Sequence, residues 1–319
     1  MAFASVAATN NPARLAGATL FSSISYRGER ITTFQFDPEV RVQINAPSTN
    51  VAFSKRLMVF YALPNGNTIE ETAGKPTSKK EEWRYQIQHI AAQMRFVRAA
   101  LPDHQIVIAY LEAAGKSWPA WRKKHGNEKI PDLLERVAEA AGCPDAPRVL
   151  NGHSGGGSLI FGFINAVPEI PTNVVRIAFL DSNYAYDTSA GHSEKLLKWL
   201  RNDGRLCVIA YNDAAGLLDG KPFVSASGGT WGRSHAMWKD FAAPIEFSEF
   251  REGDLLRLTG LSGRVEFLLM ENPDHKILHT VQVERNGFIH SMLFATPAAN
   301  KGYKYYGEPA YKRFIWGEN

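Results

Sequence analysis

Ser154 stands in Gly152-His153-Ser154-Gly155-Gly156, between two apolar runs of different character. Pro147-Arg148-Val149-Leu150-Asn151 before it reads as a buried strand, and Ser158-Leu159-Ile160-Phe161-Gly162-Phe163-Ile164 after it reads as a packed helix. A serine squeezed between strand and helix needs glycine on both sides, because the sharp turn leaves no space for a Cβ. The turn lifts the hydroxyl clear of the sheet, where the free N–H groups of the next helix point at it. The chemistry this arrangement offers is nucleophilic. A serine hydroxyl attacks an acyl carbon once an imidazole takes its proton and a carboxylate fixes the imidazole tautomer. Phosphate cradling fits less well. Ile160 stands where a dinucleotide fingerprint needs its last glycine. Gly115-Lys116-Ser117 lacks the earlier glycine of a phosphate loop, Tyr110 standing in its place, and is followed by Trp118-Pro119 rather than a helix.

This Gly-x-Ser-x-Gly turn resembles the nucleophile elbow of the α/β-hydrolase family, and the likeness in element order spans about Ile31 to Ala298. The resemblance implies the chain order serine, acid, histidine, so both partners of Ser154 are expected downstream. His290, on a loop freed by Gly287 after the last predicted strand, is where the family places its base. Asp213, after the strand Leu206–Tyr211, is the expected acid, with Asp181 at the end of the preceding strand as the alternative. His279 falls in an alternating run that reads as a strand, and His275 in a hairpin turn. Their spacing is one seen in metal sites, but not on a helix, so metal is not expected. His192 and His235 come early in the chain, His235 as a candidate pocket residue.

The developing oxyanion needs two backbone donors. Gly155 is one, and the loop Leu63-Pro64-Asn65-Gly66-Asn67 is expected to supply the other. Pro64 has no N–H, which leaves Leu63 or Asn65. The loop departs from the His-Gly-Gly-Gly form of some family esterases. His153, Trp118, Trp121 and Tyr184 are candidate pocket residues, with Tyr186 and Asp187 also at its border. The implied activity is a serine hydrolase that cleaves a carboxylic ester through an acyl-enzyme, with no metal or organic cofactor. An amidase, a peptidase or an acyltransferase would use the same triad, and a non-catalytic ligand-binding protein is the alternative of another class.

The elements that must position these residues are legible as alternating apolar runs. Ile31–Phe36 and Val40–Ile44 read as an opening antiparallel pair, and Arg56–Ala62 as a covered strand. Glu82–Leu101 has helical spacing, Gln105–Leu111 reads as a strand, and 131–141 as a helix begun by Pro131 and stopped by Gly142. Val174–Leu180, Ser193–Leu200 and Leu206–Tyr211 continue the alternation of strand and helix. A helix over Trp231–Phe241, capped by Thr230, follows. Val265–Met270 and Ile277–Val283 read as a late hairpin. The expected fold is α/β, a doubly wound, mostly parallel sheet with helices on both faces. Residues 1–25 read as an N-terminal extension and 26–319 as one catalytic domain.

With 319 residues and 45% hydrophobic content, the chain is long enough for a single large core. A net charge of +4 with no long basic run argues against nucleic acid as a partner, and Arg122-Lys123-Lys124 reads as solvated surface. No run is long and apolar enough to span a membrane. The expected partner is a small-molecule or polymeric ester, and the oligomeric state stays open. Cys143 and Cys207 are read as two free thiols. The N-terminus lacks a basic start and an apolar stretch, so both a cytoplasmic protein and an exported one already lacking its leader remain open. The aromatic and basic segment from Tyr303 to Trp316 is expected to dock on the body.

Overall fold

The computed structural model describes residues 18–25, 27–47, 53–74, 88–218, 220–222, 224 and 229–315. The chain opens with three strands, β1 (Ala18–Ile24), β2 (Arg30–Phe36) and β3 (Val40–Ala46), each antiparallel to the next. β4 (Lys55–Ala62), β5 (His104–Ala113), β6 (Arg148–His153), β7 (Val174–Leu180) and β8 (Arg205–Tyr211) are the parallel centre. β9 (Leu217–Leu218) and β10 (Lys221–Pro222) form a separate short ribbon. β11 (Phe247–Glu252), β12 (Leu255–Gly260) and β13 (Val265–Met270) complete the far side, with β13 parallel to β8. Among the described residues, eleven strands make one sheet in the order β1-β2-β3-β5-β4-β6-β7-β8-β13-β12-β11. The exchange of β4 and β5, and the antiparallel opening, give the sheet an α/β-hydrolase-like topology.

Helices α1 (Ile69–Ala73), α2 (Ile90–Ala100), α3 (Trp118–His125), α4 (Lys129–Ala140), α5 (Gly157–Ala166), α6 (His192–Arg201), α7 (Gly229–Ala242) and α8 (Phe288–Leu293) flank it. Side chains alternate across each strand, so every covered strand feeds two cores. Met58, Phe60 and Leu150 point to one layer with Leu133 and Val137 of α4 and Phe161 of α5. Val59, Tyr61 and Val149 point to the other, with Met94 of α2 and Phe288 of α8. Phe161 stacks on Phe179 with ring centroids 4.7 Å apart. Burying such a ring fully stabilises the fold by about 1.5–3 kcal/mol.

Three sequence expectations change. β1 lies within the segment read as an N-terminal extension. β11 and β12 add an unforeseen antiparallel margin to the sheet. The predicted strand Ile277–Val283 is instead a loop running into a helical turn over 281–287. The physical reason is that β13 is already paired on both edges, by β8 and β12, so no strand edge is free for that run. Asn272, with φ 64°, turns the chain away. Its side chain accepts from the Lys276 N–H at 2.9 Å and donates to the carbonyls of Lys276 and Asn212. The helix read over 82–101 is observed from Ile90 to Ala100, and 82–87 lie outside the described residues.

Candidate active site

The C-terminal ends of β6, β7, β8 and β13 lie at one edge of the sheet, the edge where open α/β sheets bind ligands. Ser154 follows β6 directly, in the left-handed region at φ 53°, a conformation that side chains other than glycine adopt only when the surroundings enforce it. The surroundings here are tight. A Cβ on Gly156 would strike the Ala62 carbonyl, one on Gly157 the Ser182 carbonyl, and one on Gly152 would sit 2.9 Å from the Gly156 backbone. The three bare positions let the turn pack between β4 and β7, and α5 starts immediately after it.

Asp181 follows β7, itself left-handed at φ 46°, and is fully buried. Its neighbour Ser182 donates its hydroxyl to the Gly152 carbonyl at 2.8 Å, tying the end of β7 to the turn at Ser154. One Asp181 oxygen bonds Nδ1 of His279, and the other accepts the hydroxyl of Thr230. His279 sits on the loop after β13, with its side chain 23% exposed, so it reaches solvent while Asp181 does not. Its ring lies 4.5 Å from that of His153, the residue before Ser154. His153 Nε2–H donates to the His279 carbonyl at 3.1 Å. Burial first, and the neighbouring His279 second, hold His153 well below the ordinary histidine pKa, so it is a neutral donor. His153, fully buried, therefore anchors the His279 loop to β6.

Asp213 follows β8 and does other work. It accepts the N–H of Thr230 at 2.8 Å and of Trp231 at 3.4 Å, capping the start of α7. Gly229, at φ 77°, leaves room for it, since a Cβ there would strike the carboxylate. Burial, then the charge of Asp181, push the Asp213 carboxyl up to about 6. Thr230 thus lies between the two acids, and His279 bonds the one at position 181.

His290 is placed elsewhere. It lies on α8 under the sheet, 1% exposed, with Nε2 at 2.6 Å from Glu266 and its ring among Phe294, Tyr303 and Tyr305. Glu266 is the second residue of β13 and Met270 its last. At roughly 3.3 Å per residue, four residues put that pair about 13 Å back along the strand from the edge where Ser154 lies. Asp213 and His290 are not brought together.

Of the expected oxyanion donors, the Leu63 N–H bonds the Leu111 carbonyl at 3.2 Å and is not free. Asn65 packs its side-chain amide against Gly155, so closely that a Cβ on Gly155 would overlap it. Asn65, Gly155 and Ser154 line one cavity of about 720 Å³, with Tyr184 on its wall. Trp118 and Trp121 are buried instead, meeting edge to face at 5.4 Å, and Trp121 donates to the Pro38 carbonyl at 2.7 Å. Ser117 caps α3, and residues 118 and 121 then share its inward face, which leaves Pro119, Arg122 and Lys123 toward the cavity. Tyr186 donates to Asp240 at 2.6 Å, and Asp187 caps the turn over Thr188–Ala190. Cys143 and Cys207 are free and buried. Among the described residues no cluster of three or more His, Cys, Asp or Glu side chains is arranged to hold a metal ion. No helix among them is long and apolar enough to cross a membrane.

No protein-family model matches the chain. No curated protein matches it. Solved structures do resemble it in outline. A glucuronoyl esterase from Solibacter usitatus is 11% identical, with 86% of this chain and 85% of that one covered at a TM-score of 0.45. An S-formylglutathione hydrolase from Agrobacterium tumefaciens is 9% identical, with 86% and 98% covered at 0.42. A cold-adapted esterase from an Arctic intertidal metagenomic library is 14% identical, with 69% and 82% covered at 0.38.

Proposed function

We propose that this protein is a serine hydrolase that cleaves carboxylic esters, with Ser154 as nucleophile, His279 as base and Asp181 as its acid. The observation that carries this reading is the His279–Asp181 pair at the sheet edge where Ser154 sits in a left-handed turn. Asp181 occupies Nδ1 of His279, which leaves Nε2 as the nitrogen able to take the serine proton. Ser154 Oγ then bonds the acyl carbon, and its proton passes to His279. The imidazolium formed lies against the Asp181 carboxylate. The N–H of Gly155, with the Asn65 amide, binds the oxyanion. His279 gives its proton to the leaving alcohol. It then takes one from water, which attacks the acyl-enzyme, and returns it to the departing Ser154 Oγ as the acid is released.

Labelling by a fluorophosphonate probe tests this. Wild type is expected to label, Ser154→Ala and His279→Ala not, and His290→Ala still to label when folded. Absence of label on folded wild type, with a probe small enough to enter the cavity, overturns the reading. Matched ester and amide substrates then compare the two leaving groups.

A further inference from the structure

Arg122 is an unusual residue to find beside a nucleophile. Its guanidinium is half-buried on the wall of the cavity that also holds Ser154, Gly155 and Asn65. Nε donates to Asn127 Oδ1 at 2.7 Å, and Nη1 donates to the carbonyl and the hydroxyl of Ser158, both at 2.9 Å. Nη2 has no hydrogen bond among the described residues. Nor does any carboxylate among them pair with Arg122, and burial alone lowers its pKa. The position is built: an ideal Cβ on Gly162 of α5 would lie 2.7 Å from Arg122 Nε, so a glycine there lets the side chain cross the helix. Lys123 lines the same cavity, and no Asp or Glu does. The neighbouring Lys124 differs, since it is neutralised by Glu39 at 2.6 Å.

A partly desolvated guanidinium normally keeps a carboxylate or phosphate partner. A structural role bonding α5 accounts for Nε and Nη1 but leaves Nη2 and the net charge unmatched. We propose that the substrate supplies the missing anion: the ester cleaved at Ser154 carries a carboxylate, which Arg122 binds through Nη2 while Lys123 adds to the attraction. This rests on the serine-hydrolase reading of the cavity. Charge-assisted hydrogen bonds are about twice as strong as neutral ones, and a partly buried pair of this kind corresponds to about a tenfold preference.

Two ester pairs test it, one for each side of the scissile bond. Monophenyl glutarate against its methyl ester places the charge on the acyl side. Acetoxybenzoate, with the acetoxy group para to the carboxylate, against its methyl ester places it on the alcohol side. Wild type is expected to favour the charged member of at least one pair about tenfold in kcat/KM. Arg122→Gln is expected to bring that ratio near one, and Arg122→Lys to keep part of it. Parity, or preference for the neutral member in both pairs, overturns the inference. The wild-type ratios stand even where the Arg122 variants fail to fold. Calorimetry on Ser154→Ala separates the two readings. Saturable binding of monomethyl glutarate, and not dimethyl glutarate, supports the carboxylate site even in a protein that turns over no ester. Turnover of neutral esters without such binding or preference overturns the carboxylate site and leaves the serine hydrolase intact.

Discussion

Asp181→Asn separates the two candidate acids, and its size follows from which atoms surround residue 181. One oxygen of Asp181 accepts the Thr230 hydroxyl, and the other faces Nδ1 of His279. An asparagine keeps the Thr230 bond only by turning its carbonyl oxygen to that side, which directs its amide N–H₂ at His279. Nδ1 must then accept, the ring proton moves to Nε2, and the base can no longer take a proton from Ser154. A wrong-tautomer substitution of this kind lowers kcat by about 10⁴-fold, on the order of 5 kcal/mol, in a serine triad on another fold. Fold integrity is expected to survive, because the side chain stays isosteric and Thr230 stays bonded. A second readout is independent of catalysis. Loss of the Asp181 charge removes one of the two causes that raise the Asp213 carboxyl, so its pKa falls from about 6 toward the ordinary value. The assay is kcat on an activated ester for Asp181→Asn and Asp213→Asn, with the Asp213 titration followed by NMR. A loss below tenfold for Asp181→Asn, beside a loss of a thousandfold for Asp213→Asn, refutes the assignment and restores Asp213 as the acid.

Asp213 also makes stability depend on pH. Its folded pKa of about 6 lies above the ordinary 3.8, so the folded state holds the extra proton between those values and stability falls as pH rises through that window. The full effect is about 3 kcal/mol at neutral pH, from roughly two pKa units at 1.36 kcal/mol each. Urea titrations at pH 4 to 7 are expected to show a decline in wild type that Asp213→Asn removes; identical pH profiles would contradict it. Gly155→Ala drives a Cβ into the Asn65 amide and is expected to lower kcat by about 10²-fold or more through the disturbed oxyanion donors, with KM changed far less. His290→Ala removes one partner of the buried Glu266 carboxylate and leaves Arg257 at 3.4 Å, so a loss of about 1.5–3 kcal/mol is expected in urea unfolding while the folded fraction still labels with fluorophosphonate.

The glycine-rich turn at Ser154 was legible because its signature is local. Glycines at 152, 155, 156 and 157 mark a strand-to-helix turn by their spacing alone, although Asn65, Ala62 and Ser182, which crowd three of them, are distant in sequence. The strand and helix alternation from β4 to β8 was legible for the same reason, since each element's period is written along its own sequence. The place of His279 was not. Ile277-Leu278-His279-Thr280-Val281-Gln282-Val283 alternates like a strand, and only the pairing of both β13 edges, one of them by the unforeseen β12, denies it an edge. His290 resembled a loop base because Gly287 looked like a hinge. Instead Gly287 lies close under the Gln282 carbonyl, where a Cβ would clash, and leads into a helix that buries His290 on Glu266. Asp181 and Asp213 end successive strands and are equivalent in sequence. What divides their roles is α7, whose first turn arrives from sixteen residues beyond Asp213 and engages that carboxylate with two N–H groups. Arg122 hid in a basic triplet for a related reason. Once Ser117 caps α3 and Trp118 and Trp121 turn inward, residue 122 faces the serine's cavity while Lys124 pairs with Glu39 outside. The residues whose roles depend on a partner far along the chain are the ones that chain order alone assigns wrongly. In this protein they are the proposed base, the proposed acid and the proposed anion-binding arginine, whose surroundings are set by residues distant in sequence.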